Sequence, residues 1–288
     1  TSASPAAITP REAPEMSHSA RILLYALLCG VGVLLLTPFA WLLSTALKAE
    51  SADLFAYPPQ WIPDPIVWSN FVKAWNILPF MRYIFNTFYI AIATVLLNLF
   101  FCSLTGYALA RMRFAGRQFI FYCVLATTMV PFQVLLIPLF IVTLKLGLID
   151  SYMGVILPVA VNAFGIFLLR QAFTTIPTDL EDAARIDGCS EFTIYARIMM
   201  PLIKPALATQ AAFTFVAQWN DFLWPLVVLK SRELYTLQLG LASLQGVFGV
   251  NWRYISAASV IALVPTVLFF LFTQRFFTQG LTSGAVKE

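Results

Sequence analysis

Side chains able to do chemistry are scarce in this 288-residue sequence, and most of them gather in one place. Asp179, Glu181, Asp182, Arg185, Asp187, Glu191, Arg197 and Lys204 put eight of the chain's 32 formal charges into residues 174–204. No histidine stands among them. The sole histidine is His18, which removes His-based metal sites and His-dependent triads. Cys29, Cys102, Cys123 and Cys189 show no CxxC spacing, and three of them sit in apolar runs where cysteine acts as a small hydrophobe. Neither a disulfide nor a metal site is expected. No GxxxxGK[ST] occurs, so the chain has no backbone cradle for a nucleotide phosphate. The remaining chemistry is recognition by the charged segment, and whatever the one acid inside an apolar run, Asp221, does.

The charged segment has the grammar of two short helices. Thr178 and Glu181 after Pro177 fit the S/T-x-x-E capping box and predict a helix over 179–186. Gly188 suits the left-handed residue that ends it. Ser190 can cap a second helix over 191–200, which Pro201 stops, with Pro205 following. Acids crowd the first turn, as the helix dipole favours. Two readings stand: a solvated loop, or a compact knob with small Ala183 and Ala184 docking into a partner's groove.

The elements that must position this segment are set by composition. Apolar residues make up 60% of the chain and charged ones 11%, with a mean hydropathy of +0.81. A soluble domain carries roughly 25% charge. Disorder requires the opposite composition. Six runs are long enough for the ~20 residues of a spanning helix: 22–47, 83–110, 118–144, 151–169, 205–229 (interrupted only by Asp221) and 254–274. They are too long and continuous for barrel strands. With both termini inside, eleven Lys and Arg lie on the inner segments against seven outside, which favours cytoplasmic termini. The tight basic turn Arg111–Arg117 belongs inside. The net charge of +4 is dispersed, so no nucleic acid is implied. The Pro- and Trp-rich stretch 57–75 reads as an ordered outer loop. Residues 1–20 read as disordered, with 1–15 an extension before Met16. The run 22–36 lacks a small-residue cleavage site and reads as a retained helix.

At this point the residues resemble a known family. Glu181-Asp182-Ala183-Ala184-Arg185-Ile186-Asp187-Gly188-Cys189, followed by Ile198-Met199-Met200-Pro201-Leu202-Ile203-Lys204-Pro205, is similar to the "EAA" loop of binding-protein-dependent ABC importer permeases, E-A-A-x-x-D-G-A and then I-x-x-P-x-x-x-P. Asp182 replaces the usual Glu, and Cys189 the usual Ala. Residues 218–225 (Gln-Trp-Asn-Asp-Phe-Leu-Trp-Pro), the tail 274–287 and the outer loop resemble the carbohydrate subgroup, in particular its second, maltose-type permease subunit. The likeness covers residues 20–288.

The resemblance implies an all-α membrane protein of the type I ABC importer permease fold, with six transmembrane helices and both termini cytoplasmic. It implies residence in the plasma (inner) membrane among lipid. It implies a heterodimer with a second permease, two ATPase subunits that bind ATP and Mg, and an extracytoplasmic sugar-binding protein. This chain itself would hold no cofactor and catalyse nothing. Residues 21–80 would form the first helix and outer loop. Residues 81–279 would form the transmembrane core with the coupling loop 174–205, and 280–288 a cytoplasmic tail against the ATPases. Glu181, Asp182, Ala183, Ala184, Asp187, Gly188, Pro201 and Pro205 would couple to the ATPase.

Gln133, Asn162, Gln218, Asn220 and Asp221 are candidates for the translocation path. A buried membrane acid faces protein or water, so Asp221 either lines that path or pairs structurally near the outer interface. Asn86, Asn98 and Gln210 could likewise bond a sugar hydroxyl or join helices. Pro131, Pro138 and Pro265 can kink their spans. The rival class is a secondary solute transporter driven by an ion gradient, which would show an internal repeat; no second Asp187-Gly188 pattern occurs.

Overall fold

The structure, a computed structural model, describes residues 17–247 and 251–282, with side chains for 17–244 and 251–271. Expectations for residues 1–16 and for the end of the tail lie outside these. The described residues are helical and contain no strand.

The described chain opens with two long helices, α1 (His18–Leu47) and α3 (Phe80–Arg111), with the short α2 (Ser69–Ile77) between them. At 1.5 Å per residue, α3 runs about 48 Å, more than the ~30 Å hydrocarbon core. The expected third span is two helices, α4 (Arg117–Thr127) and α5 (Phe132–Lys145), meeting at 103°. The fourth is α6 (Tyr152–Ile156), extended by a 3-10 turn to Val159, and α7 (Ala163–Thr174), meeting at 49°. After the charged segment come α10 (Lys204–Trp219), α11 (Leu223–Val228), α12 (Leu237–Val247) and α13 (Trp252–Thr282), with α8 and α9 described below. Among the described residues three helices are long and apolar enough to cross a membrane, or up to five if each bent pair is one span.

The runs at 118–144, 151–169 and 205–229 are each more than one helix, and prolines explain where they part. Pro131 has no N–H and disfavours helical backbone at the residue before it, so α5 starts afresh there. Pro158 lies in the 3-10 turn between α6 and α7. Pro225 lacks the N–H that would reach the Asp221 carbonyl, and the helix breaks at 220–222. Pro38, Pro138 and Pro265 stay inside their helices.

α3 is the central element, packed along α7 and α10; α13 packs on α1, α2 and α10. Buried polar side chains join these helices. Gln210 Nε2 donates to Asn98 Oδ1 at 2.8 Å, and Asn98 Nδ2 donates to the Ala160 carbonyl at 3.1 Å. Asn86 Nδ2 donates to the Glu233 and Tyr235 carbonyls, both at 2.9 Å, and its oxygen accepts from Tyr152 at 2.8 Å. Of the two roles open to Asn86, Asn98 and Gln210, these contacts are helix joining.

The segment between α1 and α2 is tied to its neighbours. Asn70 Nδ2 donates to the Ala46 and Lys48 carbonyls at 2.9 Å each. The Arg253 guanidinium donates to the carbonyls of Ala49, Glu50 and Ala52. Trp41 and Trp61 meet edge-on at 5.1 Å.

Candidate functional site

α8 (Asp179–Ile186) begins without the expected capping box. Thr178 takes helical angles, φ −68° and ψ −27°, and its side chain caps nothing. Glu181 turns inward instead, 3% exposed, to face Arg111 at 3.7 Å. A cap contributes about 1 kcal/mol. A carboxylate packed beside a buried guanidinium has the larger stake, because either charge left alone there would be uncompensated.

The other end of α8 follows the sequence. Gly188 has φ +79°; its N–H donates to the Arg185 carbonyl at 3.0 Å, and the Cys189 N–H donates to the Ala184 carbonyl at 2.9 Å. This pair of bonds is the Schellman arrangement, which needs a left-handed residue at that position. Ser190 Oγ accepts from the Thr193 N–H at 3.3 Å and opens α9, residues 191–202. The helix expected to stop at Pro201 runs on to Leu202, and Pro205 is the second residue of α10. Within α9, Ile194–Met199 form a π-helix, and this wider turn lies just before Pro201, whose ring crowds a regular turn.

Arg185 spans the turn. It donates to Asp182 at 2.8 Å and to Glu191 at 2.7 Å. That hydrogen bond holds the Glu191 carboxyl below its ordinary pKa, and the guanidinium is raised in return. Ala184 points into the core, whereas Asp182, Ala183, Asp187 and Gly188 face outward. So do Ile186 (86% exposed), Phe192 (66%) and Leu180. The outer surface of α8 is thus small, apolar and acid-edged, on a turn that its own hydrogen bonds keep rigid.

Behind it, α3 presents Ser103, Tyr107 and Arg111, four residues apart. Ser103 Oγ and the Tyr195 hydroxyl lie 2.7 Å apart, and Tyr107 donates to Glu191 at 3.4 Å. Sequence reasoning missed this stripe. Its signal was polar residues at helical spacing on the last turns of an otherwise apolar span.

Of the five path candidates, two share a surface. Asn162 and Gln218 line a groove of about 590 Å³ with Thr127, Thr128, Pro158 and Phe164, where the two bent spans break. Asn162 Oδ1 caps α7 through the Gly165 N–H at 2.7 Å, and Gln218 Oε1 is buried without a partner. Gln133 is exposed outside this groove, and Asn220 donates back to the Val216 carbonyl at 2.9 Å. Asp221 Oδ1 accepts from the Trp224 N–H at 3.4 Å, which ties it to the first turn of α11.

An all-helical bundle of apolar spans, some of them broken beside a largely apolar groove that carries Asn162 and Gln218, is the architecture of a multi-pass membrane protein. The chain belongs to the family of binding-protein-dependent transport system inner membrane components, whose model matches residues 102–283. It is 42% identical over 280 residues to the arabinooligosaccharides transport system permease protein AraQ of Bacillus subtilis, covering 96% of this chain and 99% of that one. It is 34% identical over 260 residues to the diacetylchitobiose uptake system permease protein DasC of Streptomyces coelicolor, covering 88% and 92%. Its fold matches a chain of a bacterial ABC transporter involved in the import of the acidic polysaccharide alginate, with a TM-score of 0.80, 27% identity and coverage of 92% and 100%. The MetNI methionine ABC transporter shares the fold with a TM-score of 0.54 at 16% identity, over 69% of this chain and 95% of that one. The chain is an inner-membrane ABC importer permease.

Proposed function

We propose that this subunit imports an oligosaccharide or glycoside, with ATP hydrolysed by partner subunits. The sugars in the names of its relatives support the substrate class. In this reading the chain crosses the membrane six times with cytoplasmic termini, α10 and α11 forming the fifth crossing. Residues 21–80 lead into the core 81–279, and the tail 280–288 meets the ATPases. A second permease completes the path, two ATPase subunits bind ATP and Mg, and an extracytoplasmic binding protein delivers the sugar. The chain itself catalyses nothing.

The observation that carries the reading is the rigid, outward-facing turn of α8. Asp182, Ala183, Asp187 and Gly188, with Leu180, Ile186 and Phe192, would seat in a groove of an ATPase subunit. Closure of the ATPase dimer would then move this segment and switch the groove at Asn162 and Gln218 between the two sides. The test is co-purification followed by reconstitution. An ATPase subunit accompanies the chain, and sugar uptake requires ATP. Uptake driven by a proton or sodium gradient without ATP would overturn the proposal in favour of a secondary transporter. A thermal-shift screen of sugars on the binding protein then fixes the substrate.

A further inference from the structure

We propose that Glu181 and Arg111 form an internal strut through which the coupling segment moves α3, so that Glu181 is a positioning residue and not part of the surface that meets the ATPase. This rests on the importer reading above.

Burial is the first argument. Glu181 is 3% exposed and Arg111 is 8% exposed, so neither is available to a partner in the way Asp182 is. Geometry is the second. Arg111 is the last residue of α3, and its guanidinium also donates to the Ile176 carbonyl, in the connection between α7 and α8. Ser103, Tyr107 and Arg111 lie on one face of α3, and each meets a different part of the segment: Tyr195, Glu191 and Glu181. Three successive turns of one span therefore grip α8 and α9.

Transmission is the third argument. α3 is held closely to α7; a Cβ at Gly106 would lie 3.0 Å from the Arg170 amide nitrogen. A displacement of its Arg111 end is thus carried into its neighbours rather than absorbed. The pair also makes a poor stability device. Glu181 Oε1 and Arg111 Nε are buried without hydrogen-bond partners. A buried pair so incompletely satisfied is often no better than apolar side chains in its place. Force transfer supplies a reason for keeping two charges at the end of an apolar helix.

The experiment uses the complete transporter in proteoliposomes, with ATP hydrolysis and sugar uptake read in the same vesicles. The variants are Glu181→Gln, Arg111→Gln and the exchange Glu181→Arg with Arg111→Glu. The single variants are expected to co-purify with the ATPase subunits and to hydrolyse ATP, while sugar moved per ATP falls by about fivefold or more. The exchange should recover most of the wild-type ratio. Single variants that keep the wild-type ratio, or an exchange no better than either single, would overturn the strut. So would single variants that lose the ATPase subunits but retain full coupling in the assembled fraction, which would put Glu181 on the docking surface. If all three variants fail to assemble, the pair is a folding element and the proposal is wrong. A wild-type complex without ATP-driven uptake would instead refute the importer reading.

Discussion

Arg185 and Glu191 face each other across the Gly188 turn, with Nε donating to the carboxylate at 2.7 Å. The contact ties α8 to α9 without burying either side chain, at 40% and 50% exposed. Because the Glu191 carboxyl is held below its ordinary pKa by this bond, its contribution is fully present above that ordinary value. It is lost as pH falls through the lowered one. Both groups are solvent-screened, so the contribution is at most about 1 kcal/mol. Limited proteolysis at the turn should be flat from pH 6 to 8 and rise only in acid, roughly below pH 4. Glu191→Gln should raise cleavage at neutral pH and remove the acid step. A wild-type profile that changes near pH 7 would refute this.

Gly188→Val should uncouple ATP hydrolysis from uptake. Nothing lies within 4 Å of a Cβ at Gly188, so its positive φ, not crowding, is the obstacle. A β-branched residue there costs about 1–2 kcal/mol, enough to open the turn or shift it. Gly188→Asn, which tolerates the left-handed region, should be milder. Normal sugar-stimulated ATPase and uptake in the valine variant would refute the role of the turn.

Gly154 and Gly30 make a contrasting pair. A Cβ at Gly154 would overlap the Leu148 carbonyl oxygen, a backbone atom that cannot swing away, whereas a Cβ at Gly30 meets nothing. Gly154→Ala should destabilise by about 1–3 kcal/mol. Gly30→Ala should be neutral or stabilise by up to about 1 kcal/mol, through helix propensity alone. Thermal unfolding in detergent compares them, and equal midpoints would contradict the packing.

Gln218→Leu should alter uptake without altering stability, because Gln218 Oε1 already lacks a partner in the fold. Asn162→Ala should do both, since it removes the cap on α7 at a cost of about 1 kcal/mol. Asn162→Asp keeps the cap. The readouts are the KM for sugar uptake and the melting temperature. A Gln218→Leu subunit with a wild-type KM would exclude this groove from the path.

Both ends of α3, the end of α1 and the start of α13 were legible in the hydropathy, and the turn at Gly188 and the cap at Ser190 in local chemistry; α1 starts at His18, inside the stretch expected to be disordered, and α13 runs to Thr282, past the expected end at 274. The breaks were not. Apolar runs register burial in lipid but are blind to the i→i−4 hydrogen-bond ladder, so Pro131 and Pro225 read as kinks or not at all, where the structure shows new helices. The capping box at Thr178 misled for a related reason. Its Glu181 fits a local motif, but the charge that captures it, Arg111, comes from another span. Of the five path candidates, polarity alone could not separate Asn162 and Gln218 from Asp221, which bonds the first turn of α11.

The 103° corner between α4 and α5 has a consequence for the cell. Interrupted helical backbone is tolerated at membrane depth only against protein or water. Met129 at the corner is 84% exposed on this chain, so a corner at membrane depth would need water or a companion subunit against it. If a companion subunit supplies that cover, a copy synthesised in excess would expose the corner to lipid and become an orphan for membrane proteases. The abundance of this subunit should therefore follow that of its partners, however strongly its own message is expressed.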